Sequence, residues 1–259
     1  MLKYLMWERS HIKLYKKFRG VLPMYKLLAF DLDHTLSDPD RPIHPDILQF
    51  LRKAEDQGIK IAIISGRPAM YLGGLGRQLG LKEPIIAGEN GAHIYYQIGF
   101  PPKKVFTHEV HPSGKQKLDH LRSLVQKNFG HTAWIQPNFT NFAVFPMKQE
   151  VRDELLDFVT HYYHHVIDDQ EYTFYVHPDD SFEIVPPGID KGVALNIIMD
   201  WEGITKEQVI AVGNSANDLP MLREAGVAIG IGLHEADYTV SHIKEAIGFI
   251  KERLNIQLD

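Results

Sequence analysis

The 259-residue chain contains no cysteine. That removes disulfides, thiolate nucleophiles and cysteine-held metals, and it is compatible with any redox compartment. No uninterrupted apolar run approaches the roughly 18 residues that a membrane-crossing helix needs. A basic surplus is missing as well. Lys and Arg number 28 against 33 Asp and Glu, a formal net charge of −5. Broad binding to nucleic acid is therefore not expected, although one local basic patch stays open. The chain shows no short repeat and no low-complexity linker. What remains is a globular composition, 44% hydrophobic and 24% charged, on a length that buries about 70–75% of its extended surface without staples.

Residues 1–23 stand apart. They carry Lys3, Arg9, Lys13, Lys16, Lys17 and Arg19 against the lone acid Glu8. A secretory leader places basic residues before a continuous apolar stretch; here the charges run through, so a leader is rejected. The segment is read as an accessory basic extension, with an arm for a membrane surface or a partner as the alternative. The expected setting is the cytoplasm, without stable membrane insertion, and the oligomeric state stays open.

From residue 24 short apolar runs alternate with helical patterns. Lys26–Phe30, Ile59–Ile64, Pro84–Ala87, Val209–Val212 and Val227–Ile231 read as strands. Between them, Ile47, Leu48, Leu51 and Ala54 share one helical face, and Pro68–Leu79 and Leu219–Ala225 read as further helices. That alternation predicts a parallel sheet with helices on both faces, in which ligands sit beyond the carboxyl ends of the strands. The middle is different. A strand near Val105–Val110 precedes two rounds of helix-strand-strand, which predicts an antiparallel sheet covered by two helices. The expected division is 1–23 as extension, 24–95 with 187–259 as an α/β core, and 96–186 as an inserted α+β cap.

Four segments carry chemistry. Asp31-Leu-Asp33 follows the first strand, and two residues on, Asp33 returns to the side of Asp31. Two such anions at 4 Å repel by about 4 kcal/mol at an effective dielectric of 20, so the pair needs a cation or a shared proton. Mg2+ suits it: a hard ion held by few carboxylates together with substrate phosphate oxygens. One carboxylate is then placed to attack phosphorus while the other handles the leaving-group proton. Ser65-Gly66-Arg67 follows the second strand and offers a hydroxyl and a tight backbone turn to phosphate, although Ser65 also suits a helix cap. Lys191, beside Asp190, is a cation at a helix start. Gly213-Asn-Ser-Ala-Asn-Asp218 brings two amides and an acid to the end of another strand, more than capping requires.

In order and position these segments resemble the haloacid dehalogenase superfamily over Tyr25 to about Phe249. The cap after Gly88-Glu-Asn-Gly-Ala92 is similar to the larger caps of its Cof-type, sucrose-phosphatase-like and phosphoglycolate phosphatase branches. Leu36-Ser-Asp-Pro-Asp-Arg41 and Arg52-Lys-Ala-Glu55 resemble the archaeal phosphoglycolate phosphatases. The resemblance implies a Rossmann-like α/β core with an inserted α+β cap and Mg2+-dependent hydrolysis of a small phosphate ester. It implies Asp31 as the nucleophile that becomes an aspartyl-phosphate and Asp33 as acid and base. Thr35 and Ser65 match phosphate-oriented groups, and Lys191 the cation that steadies nucleophile and phosphate. The Asp31 side chain and the Asp33 carbonyl match metal ligands, and Asn217 and Asp218 the amide and acid flanking the metal. Gly66, Arg67 and Asn90 complete the substrate-binding set, with Arg67 and the Glu89-Asn90 loop as selectors.

The family usually has Asp, a metal ligand, where this chain has Asn214. Weaker Mg2+ binding is therefore expected, with Asp218 compensating. His34 replaces a common glycine and is assigned no role. The competing readings are a phosphometabolite-binding or regulatory protein without turnover, supported by Asn214, and a phosphosugar mutase. His161, His164 and His165 are read as a polar helix face rather than a zinc site, and 226–232 as strand and turn rather than a dinucleotide site. Trp134, Phe139, Phe142 and Phe145 are read as cap core and substrate wall rather than a nucleic-acid platform.

Overall fold

The computed structural model describes residues 25–97, 101–167, 172–177 and 180–254; the basic segment 1–23 lies outside them. Strand β1 (Leu27–Phe30) is buried along its whole length, as the apolar run demands of a strand covered on both faces. It lies between β10 (Val209–Gly213) and β2 (Lys60–Ile64), parallel to both. The sheet continues through β11 (Val227–Ile231) and β12 (Tyr238–Val240) on one side. On the other it continues through β3 (Ile85–Gly88), β4 (His93–Tyr96) and β5 (Lys104–Thr107). The order is β12-β11-β10-β1-β2-β3-β4-β5, with only β4 and β5 antiparallel to their neighbours.

Alternation along the strands feeds two cores. Leu28 and Phe30 pack with Ile47, Phe50 and Leu51 of α1 (Pro45–Asp56) and with Ile247 and Ile250 of α7 (Ile243–Leu254). Leu27 and Ala29 pack on the opposite face with Leu195 and Ile198 of α5 (Lys191–Glu202) and Met221 of α6 (Leu219–Arg223). This period-2 division places helices on both faces, as expected for the α/β class. Helix α2 (Ala69–Leu79) forms despite three glycines and stops at Gly80, φ 69°. Asp190 caps α5 by accepting from the Gly192 and Val193 amides at 2.7 and 2.8 Å, which fixes where Lys191 begins.

A second sheet, ordered β6-β7-β9-β8, is antiparallel throughout. It comprises β6 (Ala133–Ile135), β7 (Phe142–Pro146), β8 (Thr173–Val176) and β9 (Phe182–Val185). Phe142, Val144, Phe182 and Ile184 face α3 (Pro112–Phe129) and α4 (Arg152–Val166) through Leu121, Val125, Leu155 and Val159. The twice-repeated helix-strand-strand unit is thus present. One strand is reassigned: the segment expected to open the cap near Val105–Val110 is β5, and it pairs with β4 in the large sheet. The border drawn near Tyr96 therefore falls inside a hairpin that covers the edge of the parallel sheet, and the cap elements begin only with α3.

The aromatic residues of the cap divide by face. Phe142 is fully buried, Phe145 lines a cavity, and Trp134 and Phe139 are 45% and 69% exposed rather than core.

Candidate active site

The backbone assembles the site before any side chain acts. The Asp31 amide donates to Val212 O at 3.0 Å, tying the end of β1 to β10. Leu32 O then accepts from the amides of Thr35, Leu36 and Ser37, a turn tight enough to put His34 at φ 60° and bring Asp33 back beside Asp31. Ser65 is held by its amide to Ala87 O at 2.9 Å, and its hydroxyl accepts from the Arg67 amide at 3.2 Å. Asn214 follows β10 directly.

At the centre, Lys191 Nζ donates to Asp31 Oδ1 and to Asp218 Oδ1, both at 2.6 Å. All three side chains are buried. Burial pushes the Asp31 carboxyl up to about 6, with Lys191 pulling against it and Asp218 reinforcing it. Burial alone would lower the Lys191 ammonium, but the two carboxylates more than offset that and hold it above its ordinary value. These opposite-looking shifts agree. The triad has one negative charge more than positive, and the surplus falls on Asp31.

Asp218 was expected among the metal ligands, and the geometry gives it other work. One oxygen takes Lys191; the other accepts from the Asn214 and Ser215 amides at 2.8 and 2.9 Å. It is fully buried and does not line the cavity. The loop closes around it so tightly that a Cβ at Gly213 would stand 2.5 Å from Asp218 Cβ. Asp218 positions Lys191 and the loop.

Asn214 stands where the sequence reading placed a metal ligand. Its carboxamide fits in two orientations. With Oδ1 inward it accepts from Thr35 Oγ1 at 3.0 Å. Turned over, its nitrogen donates to Asp31 Oδ2, the Asp33 carbonyl and Thr35 Oγ1 at 3.1, 3.2 and 3.0 Å. The second orientation satisfies more partners in the protein alone; the first is the one a cation requires. Either way the Asp31 carboxylate, the Asp33 carbonyl and the Asn214 amide converge on one point. An all-oxygen donor set with a single carboxylate fits Mg2+.

A cavity of about 630 Å³ opens over these groups. Asp31, Asp33, Ser65, Lys191, Asn214 and Asn217 form its floor, and Gly66 and Arg67 one side. The roof is the sheet face of the cap that points away from its helices, with Phe145, Tyr175, His177 and Glu183. Arg67 donates to both oxygens of Asp33, at 2.8 and 3.1 Å, and stands over the Phe145 ring, 5.9 Å from its centroid.

Two residues expected to bind substrate lie off the cavity. Thr35 is buried against Asn214, and Asn90 is buried, donating to Glu183 Oε1 at 2.9 Å and meeting Asn217 at 3.5 Å. Glu89, expected as a selector, is fully buried and accepts from the cap amides of Phe139, Thr140 and Asn141 at 3.0, 2.8 and 3.3 Å. It ties cap to core. Glu83 to Gly88 leads straight into this loop, where Glu89 and Asn90 both take positive φ, 53° and 56°. Left-handed backbone at two successive non-glycine residues persists where surroundings enforce it.

Sequence reasoning missed Glu183, His177 and Gln136. Glu183 accepts from Asn90 and Asn141 at 2.9 and 3.0 Å and pairs with His177 Nε2 at 3.3 Å. Gln136 donates to Gly66 O at 3.0 Å across the two sheets. The available signal was Glu183 itself, a carboxylate alternating with the core residues Phe182 and Ile184.

A parallel sheet whose central strand ends in two aspartates, one gripped by a buried lysine from a facing helix, under a cap with a polar lining, defines a hydrolase of the α/β class. The chain belongs to the haloacid dehalogenase-like hydrolase family, whose model matches residues 28–140 and 103–247. A phosphoglycolate phosphatase of Thermoplasma volcanium is 28% identical over 204 residues, 76% of this chain and 81% of that protein. A 5-amino-6-(5-phospho-D-ribitylamino)uracil phosphatase of Bacillus subtilis is 27% identical over 220 residues, covering 80% and 84%. Among solved structures, a haloacid dehalogenase-like hydrolase from Bacteroides thetaiotaomicron superposes with a TM-score of 0.71. It is 22% identical, covering 87% of this chain and 99% of that one, a likeness of fold.

Proposed function

We propose that the protein hydrolyses the phosphate monoester of a small metabolite in the cytoplasm, with Mg2+, in two steps through Asp31. The observation that carries the reading is Asp31 itself: a buried carboxylate at the end of the central strand, held by Lys191 and open to the cavity floor.

In the first step an Asp31 oxygen forms a bond to phosphorus and the bond from phosphorus to the ester oxygen breaks. Asp33, beside Asp31 on the cavity floor, gives a proton to that oxygen, and the alcohol leaves. In the second step Asp33 takes a proton from water as the water oxygen attacks phosphorus, which frees phosphate and restores Asp31. Lys191 keeps the attacking carboxylate oriented and offsets charge gathering on the phosphoryl oxygens. The Ser65 hydroxyl and the Gly66 backbone amide supply donors at the side of the phosphate, with the Arg67 amide holding the Ser65 oxygen in place. Asp31, the Asp33 carbonyl and Asn214 would hold Mg2+, which neutralises phosphate charge and aligns it for in-line attack. The capped cavity excludes bulk water and suits a small ester rather than a macromolecule.

The relatives act on a carboxylate-bearing ester in one case and a ribityl phosphate in the other, so both kinds belong in a substrate panel. Phosphate release over such a panel with Mg2+, and loss of release in Asp31→Asn, is the expected result. Ligand-induced stabilisation with no phosphate release would favour a binding protein, the reading that Asn214 supports. Trapping a phosphorylated aspartate at Asp31 tests the intermediate.

A further inference from the structure

One side chain of the cap reaches across to the loop that carries Ser65. Gln136 follows β6, is buried, and borders the cavity together with Ser65 and Gly66. Its backbone amide donates to Ala143 O of β7 at 2.9 Å, and its carbonyl accepts from the Asn138 amide at 2.8 Å. Both hydrogens of its Nε2 are committed, one to Asn138 Oδ1 at 2.9 Å and one to Gly66 O at 3.0 Å. Asn138 is held in turn to α3, its carbonyl accepting from Arg122 Nη2 at 3.1 Å. So oriented, Asn138 leaves its own buried Nδ2 without an acceptor among the described residues, a cost offset by the bond its oxygen makes to Gln136. Gln136 is thus a donor fixed within the cap and aimed at one carbonyl of the core.

What that carbonyl controls follows from the shape of one peptide unit. The unit joining Gly66 to Arg67 is planar, so its C=O and N–H point opposite ways and turn together. Its oxygen is held by Gln136, and its N–H donates to Ser65 Oγ at 3.2 Å. Gly66 has no Cβ to restrict rotation of this plane, so the plane needs a partner to keep it in one setting. Ser65 is fixed through its backbone, its amide donating to Ala87 O and its carbonyl accepting from the Asn90 amide, both at 2.9 Å. The hydroxyl is what remains to be set. It has one hydrogen to give and two lone pairs to offer. With the Arg67 amide on one lone pair, the hydrogen is left for another acceptor, and Ser65 borders the cavity where a phosphate would stand.

We propose that Gln136 is a positioning residue for phosphoryl transfer: through the Gly66 carbonyl it fixes the peptide between Gly66 and Arg67, and through that peptide it turns the Ser65 hydroxyl toward the phosphate. It acts on the phosphate end of the site and not on the leaving group, and it does so without touching the substrate. The inference rests on the phosphatase reading above and adds a residue to that same site.

The test uses the full chain with Mg2+ and p-nitrophenyl phosphate. It compares wild type, Gln136→Met, Ser65→Ala and the double variant, each checked by thermal melting. Gln136→Met keeps roughly the size of the side chain and removes its donors. It should lower kcat about tenfold with KM little changed, the mark of an interaction made in the transition state. Ser65→Ala should lower kcat by about tenfold or more. The double variant should fall no further than Ser65→Ala alone, since nothing is left to position. Losses that multiply in the double variant overturn the proposal, because a substrate contact or a general loosening acts whether or not the hydroxyl is present. An unaltered kcat in Gln136→Met overturns it too, and so does a Gln136→Met that fails to fold, the bond then being structural. In each of these cases turnover by wild type leaves the phosphatase reading standing. No release by wild type from this probe or from the ester panel above removes both.

Discussion

Arg67 holds Asp33 in a two-pronged grip, Nε to Oδ2 at 2.8 Å and Nη2 to Oδ1 at 3.1 Å, with both side chains about a quarter exposed. This fork fixes the plane of the carboxylate beside the nucleophile, and Lys cannot reproduce it. Arg67→Lys should lower kcat about tenfold with an unchanged melting temperature. Steady-state kinetics beside thermal melting would check it, and an unaltered kcat would show that the orientation of Asp33 does not depend on the fork.

Asp31 has a folded value raised by burial to about 6 from 3.8. The protonated form is therefore the one that folding favours. Its contribution is full below about pH 3.8 and lost as pH rises through about 6. At pH 7.5 without metal, Asp31→Asn should melt a few degrees above wild type while losing phosphate release, and the gap should close near pH 4. A metal-free variant that melts several degrees lower would contradict the surplus-charge account of the triad.

Lys191 is the counter-ion to two buried carboxylates. Lys191→Met should cost about 3–5 kcal/mol of stability, since breaking a buried ion network leaves its partners uncompensated. Adding Asp218→Asn should recover part of that stability without restoring activity. Urea unfolding of the single and double variants would measure both effects.

Asn214 supplies a neutral group where one further charge would strengthen attraction for a cation. Asn214→Asp should bind Mg2+ about tenfold more tightly by isothermal titration, since added carboxylate charge raises affinity at an oxygen site. Equal affinities would mean that Asn214 does not meet the metal.

His93 links the sheets, with Nε2 2.8 Å from Thr140 Oγ1 and Nδ1 3.4 Å from Thr107 Oγ1. Burial lowers its value from 6.5; Glu89 acts in the opposite sense and His108 in the same one. Its contribution to stability is full above about pH 6.5 and lost as pH falls toward the depressed folded value. Between pH 7.5 and 5.5, wild type should lose more stability than His93→Gln in urea unfolding. Parallel losses would show that His93 does not titrate with folding.

The parts of the fold that sequence disclosed are those buried on both sides. β1, β2, β10 and β11 announce themselves because every residue that crosses a doubly covered sheet must be apolar. β4 was hidden, since His93-Ile-Tyr-Tyr96 mixes polar and apolar residues. β5, three of its four residues exposed, carries no core signature, so its partner was misjudged. The site divides similarly. Asp31, Asp33, Ser65 and Asn214 could be brought together from the sequence because strand ends converge by topology, and Lys191 because it opens a helix that faces them. Asp218 was read as a metal ligand, and nothing in its spacing tells a ligand from an anchor; its oxygens are engaged by Lys191 and two amides. Glu183 and His177 meet the floor only through the placement of the cap, and no local pattern encodes that.

Glu89 sets a limit on how the roof travels. Lifting the cap away would strip the Phe139, Thr140 and Asn141 amides from a fully buried carboxylate, three charge-assisted bonds lost at once. Any change in the cap's position that kept those three bonds would have to pivot at Glu89, which makes this carboxylate the polar anchor between cap and core.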